Sequence, residues 1–402
     1  MIAYKKKFLD NLLITKKCKT WFSNGLITSA QMSSVLINYP AGYYNPNVFI
    51  RVGLFLFMSI TISAALGLYS LITLPALARG SSDSLMVFGV ITSFIFGGLS
   101  FFILERFIKE KNWFGNGMDD ALLYSGLSSV FSIIAILISD TLNASNNVLL
   151  ICILFLPVLV IASMRYLDRL VTFFAVVCFC CVFFLVIMKT GSIAKFVMPF
   201  SFMALSATLF FITLRFLNNP DLVHYKRCLT IVKAASLIIF YISGNYFVIR
   251  ESSVEYFGLD VSLGQDIPMA FLFYAFTALV PLAYLFFGLK KKDKLMVWVA
   301  LLLIAVSVLT FKYYFSLGHP EITLTTAGLV MIILAYGSIR YLNQDRHGIT
   351  FKDDPNEDDF LKSNAEALII AQSFGSAATQ SPDPGAEFGG GEFGGAGSGG
   401  KY

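Results

Sequence analysis

The chain has 402 residues, of which 56% are hydrophobic and 14% charged, with 40 Phe and a formal net charge of +5. A soluble globular chain carries about a quarter charged residues. So large an apolar excess cannot be hidden in a water-soluble core, so lipid is the expected solvent for much of the surface. Of the six cysteines, Cys152, Cys178, Cys180 and Cys181 lie inside apolar runs, and Cys18 and Cys228 lie beside basic segments. Cys178, Cys180 and Cys181 splay around one helix and read as small packing residues, not as a zinc site or a disulfide framework.

Residues 1–48 begin with a basic stretch, Lys5 to Lys7. The apolar run that follows is broken by Asp10 and Asn11 and ends at Lys16 and Lys17, which is not the pattern of a cleavable signal. Two short helices are predicted here. The first has apolar positions at helical spacing across 8–14. The second starts at Thr28, where Gln31 three residues on completes a capping box, and stops before Pro40.

Backbone groups in lipid must be satisfied internally, so apolar runs of about 20 residues are read as helices. Ten such runs follow: 50–73, 85–104, 121–138, 148–164, 170–188, 196–217, 229–248, 268–289, 295–315 and 324–342. Pro157, Pro199 and Pro281 lie inside runs and are predicted to kink them. Beyond the last run, 344–375 is an acidic segment with a short helical pattern. Residues 376–402 form a Gly-rich tail that cannot bury enough apolar area to offset its backbone entropy, so it is expected to be flexible. The predicted organisation is therefore a helical pair (1–48), a membrane bundle (49–343), an acidic segment (344–375) and a flexible tail (376–402), all-α throughout.

Orientation follows from the basic residues. With the N-terminus inside, 25 of the 30 Lys and Arg residues fall in inside segments and five outside (Arg79, Lys189, Lys195, Arg250, Lys312). Both termini are expected in the cytoplasm, with the bundle in a bacterial inner membrane. This distribution also accounts for the basic residues without nucleic acid.

The N-terminal pattern Trp21-Phe-Ser-Asn-Gly-Leu-Ile-Thr28, with Gln31 and a short helix before Pro40, leads directly into a first span. It resembles the start of a bacterial family of multi-spanning membrane proteins of unknown function, in which such a helical pair precedes many spans. The likeness covers about residues 12–75 in motif and the remainder in hydropathy. The tail, with Phe388-Gly-Gly-Gly-Glu-Phe393-Gly-Gly, looks like the Gly-rich C-termini of some membrane-anchored proteins of Bacteroidetes. Neither resemblance implies an activity or a set of catalytic residues.

Few polar groups invite a functional reading. Ionisable residues cluster at the ends of the runs, which argues against a proton relay. Asn245, in Ser243-Gly244-Asn245-Tyr246, is the most interior strong polar group. It reads as an interhelical hydrogen bond or as a substrate contact beside a weakened helix. Asp119 and Asp120 open the third run and suit the positive end of a helix dipole, the other reading being metal or acid–base work. His224, His319 and His347 lie in different loops, and the acidic, aromatic stretch 250–265 is the longest outside connection. Phe388, Phe393 and Tyr402 are the large apolar anchors of the tail and candidate contacts for a protein partner. No nucleotide loop, nucleophile elbow or metalloprotease motif is found, so no cofactor, metal or catalytic residue is expected. Membrane lipid is the expected partner. The sequence favours a non-enzymatic scaffold or sensor with docking ends, the alternative being a carrier of a lipid-like or weakly polar substrate.

The basic-residue pattern makes a direct topological prediction. Reporters placed at Leu142 and Ser252 should read outside and one at Ser398 inside. An outside signal at Ser398, or an inside signal at Ser252, contradicts it.

Overall fold

The computed structural model describes residues 2–340 apart from 41, 44, 45, 47, 78–81, 139–143, 256–266, 268, 315–324, 326, 327, 330, 331, 334, 335, 338 and 339. Among the described residues there is no strand, and the fold is an all-α polytopic bundle. Two short helices, α1 (Lys6–Ser23) and α2 (Ser29–Asn38), precede ten more. These are α3 (Val48–Leu77), α4 (Ser82–Lys111), α5 (Met118–Ile138), α6 (Ala144–Tyr166), α7 (Arg169–Met188) and α8 (Ala194–Leu217). They continue with α9 (Lys226–Gly244), α10 (Tyr246–Glu255), α11 (Ala270–Lys290) and α12 (Lys294–Tyr314). All ten except α10 are long and apolar enough to cross a membrane, making nine spans among the described residues. Much of their apolar surface stays exposed, for instance Ile60, Phe94, Phe211 and Phe271, as a lipid solvent requires. The tenth expected run, 324–342, lies mostly outside the described residues. Those described within it, such as Gly328, Leu329, Ile332 and Ile333, are helical.

The second helix starts as its sequence dictates. Thr28 Oγ1 accepts from the Gln31 amide (3.3 Å) while the Thr28 amide donates to Gln31 Oε1 (2.8 Å), closing the capping box. Pro157, Pro199 and Pro281 sit inside α6, α8 and α11, each of which continues on both sides.

The spans form two groups. In the first, α3 to α7 gather around Leu104, Leu122, Leu127, Leu159 and Val171. The α4–α5 contact depends on small residues: a Cβ on Gly97 would stand 2.8 Å from Ser129, and one on Gly126 2.8 Å from the Phe101 ring. Such close approach is how helices associate in lipid, where apolar burial supplies no net drive. In the second group, α9, α11 and α12 meet around Leu237, Tyr241, Val299 and Leu303. The groups join where α7 packs on α8 and α9. There the Cys228 thiol lies 3.7 Å from the Asp168 carbonyl.

The N-terminal segment does not stand apart from the first group. Tyr4 and Leu9 are buried in the same core as Leu104 and Val171, and the Ala3 amide donates to the Arg165 carbonyl at 2.9 Å. Tyr4 meets Phe114 edge-on at 4.7 Å. Asp10 pairs with His224 at 3.1 Å, so that histidine is tucked against α1 rather than standing in an open loop.

Gly117 lets α3 reach the start of α5. Its φ is +97°, and a Cβ there would stand 2.1 Å from the Arg51 carbonyl oxygen. Gly25 also has a positive φ (+71°) but open space around it. Gly25→Ala should therefore lose about 1–2 kcal/mol, the backbone cost alone. Gly117→Ala should lose clearly more, because the α3 backbone must also move. Equal losses in thermal unfolding of the two variants in detergent would contradict this account.

Candidate functional site

The run 229–248 is not one helix. α9 ends at Gly244, Asn245 adopts an extended conformation (φ −70°, ψ 128°), and α10 begins at Tyr246. Part of the stretch expected as an outside loop, up to Glu255, is thus helical, and 256–266 lies outside the described residues. Close packing explains the break: a Cβ on Gly244 would stand 2.3 Å from the Phe276 ring and 2.6 Å from Met203. The extended Asn245 then needs new partners for the backbone groups that the helix no longer satisfies.

Those partners form a directional chain. Asn245 Oδ1 accepts from the Val248 amide (3.3 Å), capping α10. Its Nδ2 donates to Tyr241 Oη (2.9 Å) and to Thr310 Oγ1 on α12 (3.2 Å). Ser307 Oγ donates to the Thr277 carbonyl at 2.6 Å, so its own proton is committed. Tyr241 must therefore donate across the 2.8 Å contact with Ser307. Thr277 Oγ1 on α11 donates to the Phe273 carbonyl and accepts from the Tyr246 amide at 3.0 Å. Asn245, Tyr241, Tyr246 and Thr277 are all at most 1% exposed, and each polar group on the path has a partner. The break is thereby clamped to α11 and α12.

A partly open cavity of about 240 Å³ lies beside the break, at the seam between the two helix groups. From α7 and α8 it is lined by Cys180, Phe184, Met198, Pro199 and Phe202. From α9 and α10 come Ile239, Ile242 and Ser243, then the stripe Val248, Ile249, Ser252 and Ser253. No lining residue is charged. Ile242 is 43% exposed, so the cavity reaches the bundle surface. It lies at the end where α7 finishes and α8 begins, away from the N-terminal helices.

Asp119 and Asp120 sit at the opposite end. Asp119, 3% exposed, accepts from the amides of Gly115 (2.6 Å), Asn116 (3.0 Å), Gly117 (3.0 Å) and Asp120 (3.1 Å). Asp120 binds Arg51 at 2.6 Å, tying α3 to α5. The pair organises the turn into α5, as the positive end of a helix favours. Asp168 nearby caps α7 through the Val171 amide (2.8 Å) and takes the Tyr124 hydroxyl (3.2 Å); burial pushes its carboxyl above the usual range. No group of three or more His, Cys, Asp or Glu among the described residues is arranged to hold a metal. Cys152 does meet Cys181 at 3.9 Å, while Cys180 faces the cavity. Phe388, Phe393, Tyr402, His319 and His347 lie outside the described residues.

Sequence reasoning singled out Asn245 but not Tyr241, Thr277, Ser307 or Thr310. Single hydroxyls in apolar runs carry no signal until the helices are assembled. It also counted Lys233 only as a topological marker. Lys233 is 8% exposed, two turns into α9, and donates to Asp293 between α11 and α12. Its place inside an apolar run was the available clue. Comparison with protein-family models, with characterised proteins and with solved structures finds no match for this chain.

Asn245→Leu should cost about 0.6–2 kcal/mol for the lost interhelical bonding and about 1 kcal/mol for the lost cap. Thr310→Val shares one of those bonds, so the double variant should lose less than the sum of the singles. Strict additivity in detergent unfolding would mean that the contact with α12 carries no energy.

Proposed function

We propose that this multi-pass membrane protein is a non-enzymatic carrier that takes a lipid-like or weakly polar molecule from the bilayer. One observation supports the reading: a discontinuous helix, broken at Asn245, borders an uncharged cavity at the seam of two helix groups. Carriers place their sites where helices are interrupted and where two bundles meet, because a short helix can tilt without dragging a whole span. Seams between packed units are also favoured positions for pockets.

The seam joins groups held together differently. The first is bound by small-residue packing and by the N-terminal segment beneath it. The second is clamped at the break by the Asn245 chain and, nearer the opposite end, by Lys233 and Asp293. Relative movement of the groups would change the cavity while leaving both cores intact. The scaffold reading rested on soluble chain ends available for docking and on the lack of charge inside the apolar runs. The N-terminal end is packed against the bundle, which favours the carrier.

Reconstituted liposomes test this. Fluorescent single-chain and double-chain lipids in the inner leaflet should become accessible to an external quencher faster with protein than without it. Asn245→Leu, which unclamps the break, should alter that rate by about tenfold, the kinetic equivalent of roughly 1.4 kcal/mol. Rates equal to those of protein-free vesicles for every lipid tried would refute the carrier.

A further inference from the structure

The hydrogen-bonding valence of the cavity narrows its occupant, and this step rests on the reading of the cavity as a lipid site. Three serines bring polarity to an otherwise apolar wall: Ser243 at the end of α9, and Ser252 and Ser253 on α10. Two of their protons are already committed. Ser243 Oγ donates to the Phe240 carbonyl at 2.8 Å, and Ser253 Oγ to the Ile249 carbonyl at 2.6 Å. A hydroxyl has one proton and two lone pairs, so both serines face a ligand as acceptors. Two residue types that could answer a negative group are missing from the wall: neither Lys nor Arg lines it. A carboxylate or phosphate there would be desolvated without a counter-charge, which costs far more than leaving it in water.

The remainder of the wall suits a hydrocarbon chain. Phe184, Met198, Phe202, Ile239 and Ile242 come from three helices, and Met adapts to irregular apolar shapes. The exposed Ile242 joins this wall to the lipid-facing surface, so a chain can enter from the bilayer without crossing water. We infer that the cavity between α7, α8, α9 and α10 binds a long-chain alcohol, with its hydrocarbon chain against the Phe184–Met198–Ile239 wall and its hydroxyl donating to Ser243 or Ser253.

The test is photolabelling of the full chain in detergent with hexadecanol carrying a diazirine and an alkyne. Labelled peptides should come from the cavity-lining parts of α7 to α10. Unlabelled hexadecanol should compete about tenfold better than its methyl ether, which has no proton to donate, the factor expected for roughly one hydrogen bond. Ser243→Ala combined with Ser253→Ala should erase that preference while retaining labelling. Ile239→Trp, which fills the cavity, should abolish labelling; if it does not fold, the serine variant and the competition still decide. Equal competition by alcohol and ether, or unchanged preference in the serine variant, overturns the proposal. Lipid transfer in vesicles without any alcohol preference would leave the carrier standing and sink this inference. Saturable, serine-dependent labelling without transfer would do the reverse.

Discussion

A single hydrogen-bonded path holds the second half of the bundle in register. It runs from the Asn245 amide through Tyr241 and Ser307 to the Thr277 carbonyl, with a branch to Thr310. In a lipid-facing bundle an unpaired backbone group cannot turn to water, so a helix can break only where other helices supply partners. Here α11 and α12 supply them. Once they do, the direction of α10 is fixed, and with it the stripe of α10 that borders the cavity.

The close packing around Gly244 and the polar path are two parts of one device. Gly244 brings Phe276 and Met203 against the backbone, and Asn245 then satisfies the groups this disturbs. Either alone would be unfavourable: a tight break without partners leaves orphaned amides, and an asparagine in an intact apolar helix leaves an unsatisfied amide side chain. Each proton on the path has one destination, so the arrangement is directional as well as satisfied. That specificity suits a structural clamp beside the cavity.

The end of the bundle near the N-terminus follows a different logic. Arg51 with Asp120, Arg165 with Glu105, and Lys233 with Asp293 tie neighbouring elements by charge. The first two pairs are partly exposed and contribute modestly. Lys233 with Asp293 is more enclosed, so losing one partner is the costlier change. Tyr4 and Leu9 close the same end by apolar burial. These charged ties and the N-terminal segment thus gather at one end of the bundle, and the uncharged cavity lies at the other.

Hydropathy by itself determined the all-α membrane class and nearly every span, because lipid leaves a long apolar segment no alternative to the helix. The capping box at Thr28 and the helix-start role of Asp119 were also readable, since both are local: their partners lie within four residues. What the sequence could not decide was whatever depends on which helix lies beside which. Asn245 stood out as a polar residue in an apolar run, but the continuous run through Val248 concealed the break. Gly244 becomes a necessity only when Phe276 and Met203 arrive from other helices. Tyr241, Thr277, Ser307 and Thr310 are unremarkable one at a time and form a path only across three helices. The cavity has no sequence signature at all, because its wall consists of ordinary apolar side chains and three serines. Helix formation in lipid is settled by each segment's own backbone and solvent, whereas the site is made of contacts between residues up to 66 positions apart.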